Sequence, residues 1–103
     1  MKTRQQYIDI LRSHAADLQT KFGITSLCLF GSVARDEHTA DSDIDLFAVM
    51  PSKMLNHIAA VEYLENILGC QVDLIQDHQH LRPFFRQQID HDGIYIIQQA
   101  ADC

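Results

Sequence analysis

The sequence predicts an α/β protein of the α+β-like kind: one domain in which a mixed β-sheet of three to four strands is flanked by helices. Three observations predict it. Helical and strand periodicities alternate along the chain, which means helices layered on a single sheet. Gly23, Gly31, Gly69 and Gly93 each fall where one periodic pattern stops and another begins. The link between the first two strands is only about a dozen residues, tight for a parallel crossover, so those two are expected to run antiparallel. At 103 residues and 47% apolar content the chain matches one domain, 1–103, with a packed core.

The elements follow in order. From about Thr3 to Phe22 the apolar positions Ile8, Leu11, Ala15, Leu18 and Phe22 recur at helical spacing, with Gly23 as a left-handed cap. Ile24–Phe30 is short and nearly all apolar, a buried strand that stops at Gly31-Ser32. A short helix is expected to begin at Ser32, with its hydroxyl as a cap. The polar stretch Asp36–Ser42 is a loop, and Asp43–Met50 is the second strand, ended by Pro51. Ser52 is the candidate N-cap of a helix over about Lys53–Leu68, stopped by Gly69. Its apolar pattern is mixed and begins with Leu55, Ile58 and Ala59. Cys70–Gln76 is the third strand, Pro83 suits the first turn of a helix reaching about His91, and Ile94–Ile97 is a short last strand.

Composition excludes several classes. Eight Lys and Arg against 14 Asp and Glu leave a net charge of −6, which argues against a protein that coats a nucleic-acid duplex. No apolar run approaches the ~20 residues of a membrane-spanning helix. No secretory leader is evident, and three cysteines (Cys28, Cys70 and Cys103) without a CxxC spacing make a disulfide scaffold a poor reading. A cytoplasmic protein with reduced thiols is expected, Cys28 in the core and Cys103 exposed. The six histidines show no ligand pattern and read as solvated surface. The dense apolar C-terminus (Phe84, Phe85, Ile89, Ile94, Ile96, Ile97) either closes the core or meets a partner.

The chemistry concentrates between Leu29 and Met50. Asp43 and Asp45 are two apart in an apolar strand, so both carboxylates project from one side of the sheet. Carboxylates held that close repel one another unless a divalent cation sits between them, and this donor set suits Mg2+. Asp73, flanked by Val72, Leu74 and Ile75, repeats the arrangement on the third strand. It meets the other two if those strands are neighbours. Gly31 and Ser32, where a strand ends and a helix opens, aim free N–H groups outward at an anion such as phosphate. Arg35 follows one helical turn later, where its fork could hold a phosphate oxygen. Taken singly, a Gly-Ser pair is a turn, a D-x-D pair is solvated, and Asp73 is a charge guarding a strand edge. Together they offer donors for a triphosphate beside acceptors for its metal ions.

With these residues on the page, GSVARDEHTADSDIDLFAV resembles the G-S-x-A-R-G-x(n)-S-D-x-D-L signature of the DNA polymerase β-like nucleotidyltransferase superfamily. More narrowly the chain resembles the minimal nucleotidyltransferases, single-domain proteins commonly paired with HEPN proteins in toxin–antitoxin modules. The likeness spans nearly the whole chain, from the leading helix through the acid in VDLI to the run at Ile89–Ile96. Gly31, Ser32, Arg35, Ser42, Asp43, Asp45 and Leu46 all stand in place, whereas Asp36 occupies a position where the family usually has Gly. The resemblance implies a polymerase β palm-like fold. It implies nucleotide binding at Gly31, Ser32, Arg35 and Ser42, and catalysis and Mg2+ binding (one or two ions) at Asp43, Asp45 and Asp73. It also implies transfer of a nucleoside monophosphate from a triphosphate, ATP by expectation, to a hydroxyl.

Size and charge narrow the acceptor. Relatives that act on nucleic acid carry further domains to hold it, so a protein acceptor is expected, with no direct nucleic-acid contact and no membrane. The leading expectation is an antitoxin that adenylylates a HEPN ribonuclease toxin on tyrosine. The alternatives are an antitoxin that blocks its toxin by contact alone, and the catalytic subunit of a two-chain transferase acting on a small molecule. A homodimer is compatible with all three.

Overall fold

The computed structural model of the chain describes residues 2–51, 53–76 and 93–97. Helices α1 (Arg4–Ser13) and α2 (Ala15–Phe22) lead into strand β1 (Ser26–Phe30), the one-turn helix α3 (Gly31–Ala34) and strand β2 (Ile44–Val49). Helix α4 (Met54–Leu68) and strands β3 (Val72–Gln76) and β4 (Ile94–Ile97) follow. The Ser52 cap, the helix expected from Pro83 to His91, and His78, His80, Phe84, Phe85, Ile89 and Cys103 lie outside the described residues.

The leading helix is two helices. Its expected stripe forms, with Ile8, Leu11 and Leu18 buried, but the helix is interrupted at His14. At the break several groups crowd one carbonyl, which still accepts the His14 N–H at 3.2 Å. The Ser13 hydroxyl donates to the Ile10 carbonyl oxygen at 2.8 Å, and His14 Nδ1 lies 2.8 Å from the same oxygen. Side chains of this kind offer the backbone an alternative to the helical ladder. At the other end, Thr3 and Gln6 form a reciprocal capping box. The Gln6 N–H donates to Thr3 Oγ1, and the Thr3 N–H donates to Gln6 Oε1. The T-x-x-Q spacing of Thr3 and Gln6 is the sequence signature of that box.

The four strands form one mixed sheet in the order β3-β2-β1-β4. As the short link requires, β1 and β2 are antiparallel, and β1 pairs antiparallel with β4 as well. The α4 crossover makes β2 and β3 parallel neighbours. Leu27, Leu29, Ile44, Leu46, Ala48, Val72 and Leu74 share one core cluster with Leu11 and Leu18 of the leading helices and Leu64 and Leu68 of α4. Alternation along the strands sends Cys28, Phe30 and Phe47 into a second cluster, with Ile75 packed against it. On α4 the buried stripe is Ala60, Leu64 and Leu68, four residues apart; the expected Leu55 and Ile58 are exposed. Ile97 is buried and Ile94 and Ile96 pack against the core, so this part of the apolar C-terminus closes the sheet.

Two positions near α3 have positive φ. Gly31 sits at φ +78°, and a Cβ added there would collide with the Asp45 carboxylate and come within 3.1 Å of Asp45 Cβ. Helix α3 therefore begins at Gly31, with Phe30 as its N-cap and no side-chain capping bond, rather than at a Ser32 cap. Asp36 is the described non-glycine residue with positive φ, at 61°. This explains the departure from the family pattern: the left-handed turn closing α3 suits Gly, and Asp is among the few other residues that tolerate it.

Three substitutions test this account by thermal or denaturant unfolding. Leu64→Ala, which empties a fully buried site, is expected to cost about 2–4 kcal/mol. Gly31→Ala meets both an unfavourable φ and the Asp45 side chain, and is expected to cost at least about 1–3 kcal/mol. Asp36→Gly relieves the left-handed penalty at the expense of unfolded-state entropy, so it is expected to lie between neutral and about 1 kcal/mol stabilising.

Candidate functional site

The site lies where β1 ends and β2 begins. Because β1 and β2 are antiparallel, Phe30 at the end of β1 is opposite Asp45 near the start of β2. Because β2 and β3 are parallel, Asp45 is in turn opposite Asp73. Directly paired residues of adjacent strands point to the same face. Phe30, Asp45 and Asp73 thus form one row across three strands, and Asp43, two residues before Asp45, belongs to the same side. Val72 and Leu74, the neighbours of Asp73, face the main core instead.

The glycine corner closes on this row from above β1. The missing side chain of Gly31 is the space that the Asp45 carboxylate fills. Ser32, the next residue, is half-buried at the start of α3. The anion-type corner and the acidic row, deduced separately from two stretches of sequence, are therefore in van der Waals contact.

Electrostatics mark Asp45 as the strained member. Its carboxyl is held above the ordinary aspartate range, first by desolvation, then by repulsion from Asp73 and Asp43. The Arg35 guanidinium acts in the opposite direction, which places its charge within reach of the row. Arg35 Nε also donates to Glu37 Oε1 at 2.8 Å. Ser42 serves its own loop here: its hydroxyl accepts from the Thr39 N–H at 2.9 Å, and its N–H donates to the Thr39 carbonyl at 3.1 Å. That turn delivers the chain into Asp43.

The donor set fits a hard divalent cation. Three carboxylates share one side, and burial and mutual repulsion already disfavour their ionised form at Asp45. Even so, no three His, Cys, Asp or Glu side chains among the described residues converge as a ready-made metal cage. That is compatible with Mg2+, which keeps several water or phosphate oxygens and needs only one or two carboxylates.

Two histidines expected on the solvated surface make structural contacts instead. His14 and His38 are half-buried, and His38 Nε2 is 2.9 Å from the Lys2 carbonyl oxygen while its ring stands edge-on to Tyr7. No spacing rule marks a histidine whose partner is a backbone carbonyl 36 residues away.

Comparison with known proteins shows the family of the chain. The pattern of the nucleotidyltransferase domain family matches residues 11–100. A relative from Methanocaldococcus jannaschii, named as a candidate protein adenylyltransferase, is 38% identical over 100 residues, covering 93% of this chain and 100% of its own. The protein adenylyltransferase MntA of Thermococcus cleftensis is 40% identical over 78 residues, covering 73% of this chain and 78% of its own. Among solved structures, one described as a candidate minimal nucleotidyltransferase superposes with a TM-score of 0.74 at 29% identity, covering 90% of this chain and 95% of that one. The fold is also shared with a chain of the Shewanella oneidensis complex of a tri-AMPylated HEPN toxin with an MNT antitoxin. The TM-score there is 0.65 at 19% identity, covering 97% of this chain and 76% of the other. A palm-like sheet with an acidic row under a glycine-serine corner, and a family match over nearly its full length, place this chain in the nucleotidyltransferase family.

Proposed function

We propose that the protein is a nucleotidyltransferase antitoxin that moves AMP from ATP, with Mg2+, onto a tyrosine hydroxyl of a partner HEPN ribonuclease toxin. The observation that carries this reading is the pairing of Asp45 with Asp73 beneath Gly31. It puts acceptors for a cation and a corner for an anion within one side-chain length of each other. The names of the relatives, whose whole length the chain can cover, support a protein acceptor.

In the reaction, the acceptor hydroxyl oxygen forms a bond to the α-phosphorus of ATP. The bond from that phosphorus to the bridging oxygen breaks, and pyrophosphate leaves. Gly31 and Ser32 would hold the triphosphate through backbone N–H groups and the Ser32 hydroxyl. Arg35 would meet the departing pyrophosphate side, and Ser42 would bound the nucleotide cleft from the loop before β2. Asp43 and Asp45 would hold the magnesium, with Asp73 completing the set and taking or orienting the acceptor's proton. When bound, Mg2+ neutralises charge on the phosphates and lowers the cost of ionising the attacking hydroxyl. Most of the acceleration then comes from positioning and charge compensation.

Incubation with labelled ATP, Mg2+ and the HEPN partner is expected to label the partner. Asp43→Ala, Asp45→Asn and Asp73→Ala are each expected to lower the rate at least about 100-fold. Full neutralisation of the toxin by unlabelled Asp43→Ala would overturn the reading in favour of blocking by contact. Turnover of a free small alcohol without the partner would overturn it in favour of a small-molecule transferase.

A pH signature should accompany these changes. The folded-state pKa of Asp45 is raised, so the stability tied to its protonation is fully present below the ordinary aspartate value. It is lost as pH rises through the raised folded-state value. Asp45→Asn removes that loss. Its melting temperature is expected to exceed that of the wild type at pH 7, with the difference shrinking towards about pH 4. Added Mg2+ should raise the wild-type melting temperature at pH 7 and raise that of Asp45→Asn by less.

A further inference from the structure

We propose that the segment Lys2–Arg4, acting with His38, is a positioning clamp that sets the spacing of the catalytic row; this rests on the functional reading above. Three long-range hydrogen bonds converge on this short stretch. Arg4 Nη1 donates to the Ala34 carbonyl at 3.0 Å, at the end of α3, whose first residues are Gly31 and Ser32. His38 Nε2 donates to the Lys2 carbonyl at 2.9 Å, from the loop that runs into Asp43. Lys2 Nζ donates to the Leu68 carbonyl at 3.3 Å, at the end of α4, just before the turn into β3 and Asp73. The three connections that carry the phosphate corner, the first two acids and the third acid are thus tied to one place.

The clamp is anchored to α1. Thr3 is held by the capping box with Gln6, and the Tyr7 N–H donates to the Thr3 carbonyl at 3.1 Å, so the segment is continuous with α1. The buried Tyr7 ring meets the His38 ring edge-on at 5.8 Å and fixes its plane. The two tied loops also touch each other, since the Ile44 N–H donates to the Gln71 carbonyl at 3.0 Å.

His38 commits one ring nitrogen to this tie. A carbonyl can only accept, so Nε2 carries the hydrogen of this bond. Nδ1 is buried with no hydrogen-bond partner among the described residues. Phe at this position would keep the packing on Tyr7 and remove both nitrogens. Catalysis by positioning is sensitive to such a tether, since a misplacement of about 1 Å can cost on the order of 100-fold in rate.

The test uses the full chain with Arg4→Ala, Arg4→Lys, His38→Phe and His38→Gln. Melting temperature, steady-state kinetics of AMP transfer and amide hydrogen exchange are measured on each. His38→Phe is expected to melt within about 3 °C of the wild type yet lose roughly tenfold or more in kcat, with the KM for ATP little changed. Arg4→Ala is expected to raise the KM for ATP about fivefold with kcat within about twofold. His38→Gln and Arg4→Lys, which keep a donor, should recover most of each loss. Exchange should quicken at the Ser42 and Ile44 amides in His38→Phe and at the Glu37 amide in Arg4→Ala, with the amides of α4 unchanged. Unchanged exchange at those three amides overturns the clamp. So does a rate loss that only follows the unfolded fraction and is not recovered by the donor-keeping variants. Quickened exchange in those variants, together with a wild type that transfers no AMP, would instead overturn the functional reading and leave the clamp standing.

Discussion

The structure depends on carboxylates being held together against their own repulsion. Asp45 faces Asp73 across the parallel β2–β3 ladder, Asp43 stands beside them, and Gly31 leaves the space that the Asp45 carboxylate occupies. A folded protein gains nothing in stability from such a row. Desolvation and like charge both push Asp45 towards its neutral form, and Arg35 compensates only in part. The cost is carried by the core on the other face of the same strands, where Leu27, Leu29, Ile44 and Leu46 are fully buried against the helices. Alternation along each strand is what lets one segment do both: one set of alternate residues carries the site and the other carries the fold.

The same division explains why each connection around the site is so strongly constrained. A left-handed Gly31 lets the backbone turn directly from β1 into α3 beside an acid. A left-handed Asp36 closes α3 within one turn. Ser42 and Thr39 bond to each other to bring the chain back into β2. Each is a local solution to delivering a charged side chain to a fixed point on a rigid sheet. The ties from Lys2 and Arg4 are long-range counterparts of those local solutions.

Much of the fold was readable from residue patterns, because the elements are short and well punctuated. Gly23 and Gly69 both end helices in the left-handed conformation expected of them. The short link after Phe30 implied the antiparallel β1–β2 pair. What misled is also specific. The stripe through Phe22 gave no warning of the break at His14, where two side chains crowd the Ile10 carbonyl while the apolar pattern runs on. The apolar start of α4 suggested burial at Leu55 and Ile58, which are exposed because the helix meets the sheet further along, through Ala60, Leu64 and Leu68.

The sequence by itself determined the inventory of the site: D-x-D on one strand, an isolated acid on another, and Gly-Ser between a strand and a helix. Spacing within a strand dictates which face a side chain takes, so the common side of Asp43 and Asp45 follows from the chain alone. Tertiary structure decided that β2 and β3 are neighbours in the register that sets Asp45 against Asp73. It also decided that Gly31 abuts Asp45, and that a histidine read as surface is tied to the backbone at Lys2. Those contacts join residues far apart in the chain, and only the packing of the whole core, which no local period encodes, brings them together.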